Sequence, residues 1–192
     1  MSSAGGVLII LITILLLFIT VIVTMKGTTR SDTNLGRWSK CTREMRMSER
    51  EIFGFCGSTA FLSNFFPTPV TRNNLNYRSS EAAYQAAKYD DKPEIQRLFT
   101  TVSADDSKKL VKKYPYNEAA FAARRIDVMR DILIEKFKNA ELRQRLVNTG
   151  SANLVEYNWW GDQFWGQTKD GGRNELGRLL MTLRSEIINE PK

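Results

Sequence analysis

Tyr77-Arg-Ser-Ser-Glu-Ala-Ala-Tyr-Gln-Ala-Ala-Lys88 turns from a polar segment into a helix within four residues. Ser79 and Ser80 are good helix-capping residues, and the alanines that follow are strong helix formers. A helix is therefore expected over Ser80–Tyr89. Glu81, Gln85 and Lys88 stand at i, i+4 and i+7 and share one face of it. A carboxylate, an amide and an amine in one row are unusual on a helix otherwise built from alanine and tyrosine.

Working outward, Glu51–Gly57 and Ala60–Phe66 are short aromatic-rich stretches bounded by glycine, serine and proline, which suggests strands and turns. Thr71-Arg-Asn-Asn-Leu-Asn76 reads as a turn leading to the first helix. Further helices are expected at Ser103–Tyr114, with Ser103 as cap, at Asn117–Asn139, and at Glu141–Thr149, closed by Gly150. In the longest of these, Ile126, Met129, Leu133 and Phe137 form one apolar stripe. Leu154–Tyr157 has strand character. The last helix, Asn174–Asn189, presents Leu176, Leu179, Leu180, Leu183 and Ile187 on one face. The class is α+β, helix-rich, with a small sheet.

The 192-residue chain has room for one domain and an appendage. Val7–Met25 contains no charge and is long enough to cross a bilayer core of ~30 Å as one helix. No basic residue precedes it, and no small-x-small cleavage site follows, so a retained anchor is expected rather than a signal peptide. The basic residues after the span predict an outside N-terminus and a cytosolic domain. Residues 26–48 read as a basic juxtamembrane linker and residues 49–192 as the folded domain. The net charge is +7, yet residues 1–48 alone hold six basic and two acidic groups. The excess thus lies beside the membrane, where it attracts anionic headgroups. Within the domain, Lys108, Lys109, Lys112 and Lys113 cluster on one predicted helix, either as a solvated face or against an acidic partner.

The sequence contains no histidine. That removes the commonest general base and metal ligand, and with them any histidine-dependent triad. Cys41 and Cys56 are too few for a zinc site, and the cytosolic orientation predicts free thiols. Carboxylates, lysine, amides and aromatic rings are left to do any chemistry. Glu81 falls in the first helical turn, where the dipole favours an ionised carboxylate. Lys88, ~10 Å of helix rise away, offers a charge for phosphate or an amine nucleophile. Asn158-Trp-Trp-Gly-Asp-Gln-Phe-Trp-Gly166 does not fit an amphipathic helix. Its tryptophans either stack on a nucleobase or plug a small core. Asp162 within it either holds the loop or acts as a second acid. Lys169-Asp-Gly-Gly-Arg-Asn174 opens into the last helix, a position that favours anions. Ser63 and Asn64 lie between aromatics, with Asn64 suited to ribose hydroxyls or to shaping the turn before Pro67.

These residues, taken together, resemble the NADAR (YbiA-like) family. The matching motifs are Phe-Leu-Ser-Asn-Phe (61–65), Ser-Ser-Glu…Gln…Lys (79–88), Lys-Phe-x-Asn (136–139), Leu-Val-Glu (154–156), Asp-x-Phe-Trp-Gly (162–166) and Gly-x-Asn-x-Leu-Gly-x-Leu-Leu-Met (172–181). The resemblance spans about residues 51–188. It implies an N-glycosidase that separates ribose C1 from a base-like nitrogen, in phosphoribosylamino-pyrimidine intermediates of the riboflavin pathway or in ADP-ribosylated guanine. Nucleic acid is then a partner only in the second case. It also implies catalytic roles for Glu81, Asp162 and Lys88. Substrate-binding roles fall to Asn64, Ser63, Gln85, Trp165, Gly166 and Asn174. No cofactor or metal is implied. A non-catalytic module that holds ADP-ribose or a related nucleotide at the membrane is the competing expectation. The chain departs from the family pattern at Ala82, where a histidine is frequent, and at Phe121, where a tryptophan is.

Overall fold

The computed structural model describes residues 45–191. The expected anchor over Val7–Met25, and most of the basic linker, lie outside them. Among the described residues no helix is long and apolar enough to cross a membrane.

Among the described residues, two small sheets carry the β structure. Strands β1 (Arg46–Met47), β2 (Glu51–Phe53) and β5 (Asn153–Val155) form one, in the order β1-β2-β5. β1 runs antiparallel to β2, while β5 runs parallel to it with Ile52 opposite Leu154. The chain between β2 and β5 holds most of the helices, so the parallel pair is closed by a long crossover. Strands β3 (Pro67–Arg72) and β4 (Leu75–Ser79) form a separate hairpin. Its two-residue turn, Asn73-Asn74, has positive φ at both positions (51° and 58°), the geometry that suits the twist of flanking strands. Asparagine tolerates that region better than most residues.

The hairpin delivers the chain into helix α1 (Ser80–Ala86), which tightens into a 3-10 turn over Ala87–Tyr89. The Ser79 hydroxyl caps it, accepting from the Ala82 N–H at 3.1 Å. Helices α2 (Pro93–Leu98), α3 (Ala104–Leu110), α4 (Glu118–Lys136) and α5 (Ala140–Val147) follow, and α6 (Glu175–Ile188) closes the domain. Ser103, Asn117 and Asn139 cap α3, α4 and α5 through their side-chain oxygens. Tyr77, Tyr89, Phe99, Met129, Ile132, Phe137, Leu154 and Leu180 are fully buried where these helices meet the strands. Each such side chain stabilises the fold by roughly 1.5–3 kcal/mol.

Several expectations need correction. Ala60–Phe66 is not a strand: Gly57–Leu62 coils into a 3-10 helix, because Thr59 turns back to bond the main chain at Gly54 and Cys56. The Thr71–Asn76 segment is the tip of the hairpin, not a bare turn. Ile126 is 37% exposed; the buried face of α4 runs instead through Phe121, Val128, Met129, Ile132, Leu133 and Lys136. Cys56 is disulfide-bonded, where a free thiol was expected, and its partner lies outside the described residues.

One polar knot braces the end of α1. Asp90 accepts from Arg72 Nη1 and Nη2 at 2.5 and 2.7 Å, from Arg124 Nη1 at 2.6 Å and from Gln96 Nε2 at 2.6 Å. Arg124 also reaches the Ala87 carbonyl at 2.6 Å. Hairpin, α1, α2 and α4 are thereby pinned around the turn that carries Lys88.

Candidate active site

The row of Glu81, Gln85 and Lys88 opens onto a cavity of about 400 Å³. Ser63, Asn64, Asp162 and Trp165 line the same cavity, joined by Tyr84, Lys108, Tyr116, Phe121, Arg125, Glu156 and Trp160. Segments separated by as much as a hundred residues are brought together by specific bonds. The Glu81 N–H donates to the Asn64 carbonyl at 2.9 Å and stitches the Phe61–Phe65 segment onto the start of α1. Beneath that segment, Lys136 reaches out of α4 and donates to the Ser63 carbonyl at 2.8 Å.

Glu81 is buried, and Gln85 Nε2 donates to its Oε1 at 2.7 Å. Burial pushes the Glu81 carboxyl above its ordinary value, opposed by the Gln85 bond and by the positive charges of Lys108 and Lys88. The first-turn position alone suggested a readily ionised carboxylate; burial at the cavity wall acts in the other direction. Lys88 sits 4.8 Å from the Tyr116 ring centre, 5.7 Å from Phe121 and 5.9 Å from Tyr84. Burial among these rings lowers its amine, and Glu81 and Glu118 partly offset the effect.

The tryptophan segment divides its labour. Trp165 lines the cavity and packs edge-on against Tyr84 at 5.4 Å. Trp160 reaches the cavity while remaining 38% exposed, and Trp159 is 49% exposed beside it. Asp162 Oδ1 accepts from the N–H groups of Phe164 and Trp165, at 3.0 and 2.9 Å. Asn158 closes the same loop: its side chain bonds both the N–H and the carbonyl of Asp162, at 2.9 and 2.7 Å. Of the two readings of Asp162, loop-holding is thus seen directly, and its carboxyl also lines the cavity.

Gly166 and Asn174 stand outside the lining. Asn174 adopts the left-handed conformation (φ 54°) and does not cap α6 with its side chain. Its Oδ1 instead accepts from the Glu156 N–H at 3.0 Å, and its Nδ2 donates to the Leu154 carbonyl at 2.8 Å. A Cβ added at Gly166 would lie 2.1 Å from the Glu156 carbonyl oxygen, so glycine is needed for the loop to close on β5. Both residues act on the backbone that positions Glu156.

Glu156 and Lys136 were not singled out from sequence as site residues. Lys136 is 1% exposed, and burial draws its amine down to about 7. Glu156 lines the cavity, and burial, reinforced by Asp162, pushes its carboxyl up to about 8. A charged residue directly after a buried apolar strand, as in Leu-Val-Glu156, was the available signal. Arg125 was also missed; its guanidinium lies 3.3 Å from the centre of the Phe164 ring.

The NADAR domain model matches residues 43–188. N-glycosidase YbiA of Escherichia coli is 36% identical over 138 residues, covering 67% of this chain and 81% of that protein. A riboflavin biosynthesis protein of Vibrio vulnificus is 38% identical over 130 residues, and this chain spans about a third (35%) of its length. The solution structure of E. coli YbiA superposes with a TM-score of 0.64 at 27% identity, covering 81% of this chain and 96% of that one. Fold, ordered motifs and relatives agree, and the chain belongs to the NADAR family.

Proposed function

We propose that this protein is an N-glycosidase that cleaves the bond between ribose C1 and a base-like nitrogen, with Glu81 as the carboxylate serving C1. The observation that carries this reading is the pairing of carboxyls with unmatched acceptors in one cavity. Asn64 Oδ1 and Gln85 Oε1 are buried with no hydrogen-bond partner among the described residues, and both residues line the cavity beside Glu81 and Asp162. Buried acceptors without donors cost free energy unless a ligand supplies the donors. Ribose hydroxyls do so, and the sugar carbon that becomes positive as the base departs then faces a carboxylate.

The chemistry follows from that placement. The C1–N bond breaks with its electron pair going to nitrogen, and a water oxygen bonds to C1. Glu81 stabilises the positive carbon and orients the water. Rings of Tyr84, Tyr116, Phe121 and Trp165 offer flat apolar surface to a base. Lys88, Lys108 and Arg125 put positive charge where a substrate phosphate would lie. The Lys88 amine, lowered by its aromatic surroundings, also suits addition to C1 of an opened sugar.

Within this proposal the substrates are a phosphoribosylamino-pyrimidine or ADP-ribosylated guanine, and the chain is tethered through its N-terminal apolar run. The names of the E. coli and V. vulnificus relatives support the reaction class. The test is incubation of the full chain with both substrate types, following free base by mass spectrometry. Release of base is expected. Calorimetric binding of ADP-ribose with no release would favour the alternative, a nucleotide-binding module, which Ala82 and Phe121 distinguish from the common family pattern.

A further inference from the structure

Three carboxyl groups, Glu81, Asp162 and Glu156, line one cavity of about 400 Å³. Like charges confined to so small a space do not all ionise together, and the group with the least support retains its proton. The hydrogen bonds identify that group. Glu81 accepts from Gln85 at 2.7 Å, and Asp162 accepts from two main-chain N–H groups. Glu156 receives no hydrogen bond to its side chain among the described residues, and its Oε2 is buried with no partner. The nearby amine on α4, Lys136, donates to the Ser63 carbonyl and makes no hydrogen bond to Glu156 among the described residues.

The main chain of Glu156 is nonetheless held from both sides. Asn174 Oδ1 takes its N–H at 3.0 Å, and the Gln167 N–H donates to its carbonyl at 2.8 Å. Gly166 permits that close approach. Three loop residues fix the position of a side chain that accepts no hydrogen bond among the described residues, an arrangement suited to a group that meets a ligand.

We propose that Glu156 is the proton donor of this cavity, delivering its proton to the nitrogen that leaves ribose C1. This role rests on the glycosidase reading above. As the C1–N bond breaks, its electron pair goes to nitrogen, which takes the Glu156 proton. The water that bonds to C1 then releases a proton that restores Glu156, so the sum is addition of one water across the bond. Burial and the charges of Asp162 and Glu81 push the Glu156 carboxyl up to about 8, while Lys136 pulls it down. The group therefore carries its proton at neutral pH and loses it in mild alkali.

The test combines kinetics with direct titration on the full chain. In Glu156→Gln, kcat is expected to fall about 100-fold, the ordinary worth of a positioned proton donor, with KM within about threefold of wild type. The alkaline decline of the wild-type rate near pH 8 should be absent from the variant. A variant with wild-type kcat and an unchanged alkaline limb overturns the proposal. Independently, NMR of chain labelled with carboxyl-13C glutamate should show one resonance titrating near pH 8 that is missing from Glu156→Gln. A midpoint below pH 5 overturns the proposal even if the variant does not fold, with Glu156→Asp used to assign the signal. Wild type that releases no base from any substrate defeats the glycosidase reading instead. The proton-donor role falls with that reading, whereas base release by a wild type whose Glu156 titrates below pH 5 overturns the proposal alone.

Discussion

Replacing Glu156 with glutamine is expected to stabilise the fold in alkaline solution, which is unusual for a change at a cavity wall. The Glu156 carboxyl moves from an ordinary 4.5 to about 8 on folding, chiefly through burial. Between those values the native chain holds a proton that the unfolded chain has released. The penalty for ionising Glu156 is therefore absent below the unfolded value and complete above the folded one. At ~1.36 kcal/mol per pH unit, that gap sets a ceiling near ~5 kcal/mol. Water entering the cavity reduces it, so a gain of ~2 kcal/mol is expected at pH 9. Lys136 works in the opposite sense. Its amine is drawn from 10.5 to about 7, so its cost to the fold disappears as pH rises between them. Both chains retain Lys136, and subtracting their stabilities leaves the Glu156 contribution together with its coupling to Lys136. Urea denaturation at pH 5 and pH 9 measures it, and ~2 kcal/mol corresponds to a Tm rise of roughly 4–8 °C for a domain of this size. Equal stability differences at the two pH values would refute the reasoning, because a glutamine that merely packs better has no pH dependence.

Other substitutions probe the frame around the cavity. Gly166→Ala places a methyl 2.1 Å from the Glu156 carbonyl oxygen and is expected to cost ~2–4 kcal/mol, read from the urea midpoint. Asp90→Asn should cost ~1–3 kcal/mol at pH 7, since it weakens bonds to Arg72 and Arg124 that brace the Lys88 turn. Burial works to raise the Asp90 carboxyl, but the two arginines outweigh it and hold it below its usual value. The stability they confer is present at neutral pH and lost on acidification through the folded-state value, so the two stability curves should converge in acid. Asn158→Ala removes both bonds that close the Asp162 loop and is expected to lower kcat/KM by at least ~10-fold with a smaller loss of stability.

The helices were legible because their signals are local. Ser79, Ser103 and Asn117 announce helix starts through the side-chain oxygen that caps each one. The spacing of Glu81, Gln85 and Lys88 likewise placed three cavity residues on one face without reference to distant chain. The β3–β4 hairpin was less visible, because Pro67 and Pro69 argue against a strand and are accommodated only by an irregularity in its register. Ile126 fits the helical period as well as Val128 does, and only the neighbours of α4 decide which of them is covered. The site was most hidden where it depends on contacts between remote segments. Nothing adjacent to Glu156 in sequence reveals that Gly166, Gln167 and Asn174 will grip its backbone or that Lys136 will be committed to Ser63. Asn174 shows the same limit in reverse: its place before a helix suggested an anion contact, yet its side chain is turned back to β5.

Base release by wild type and Glu81→Gln, compared on the same ribosylated substrates, tests the central claim most directly. Glutamine preserves the size of the side chain and its contact with Gln85, so Tm should change little. The account predicts that wild type frees the base and that the variant loses at least ~100-fold in kcat. Undiminished turnover by a folded Glu81→Gln chain would contradict it.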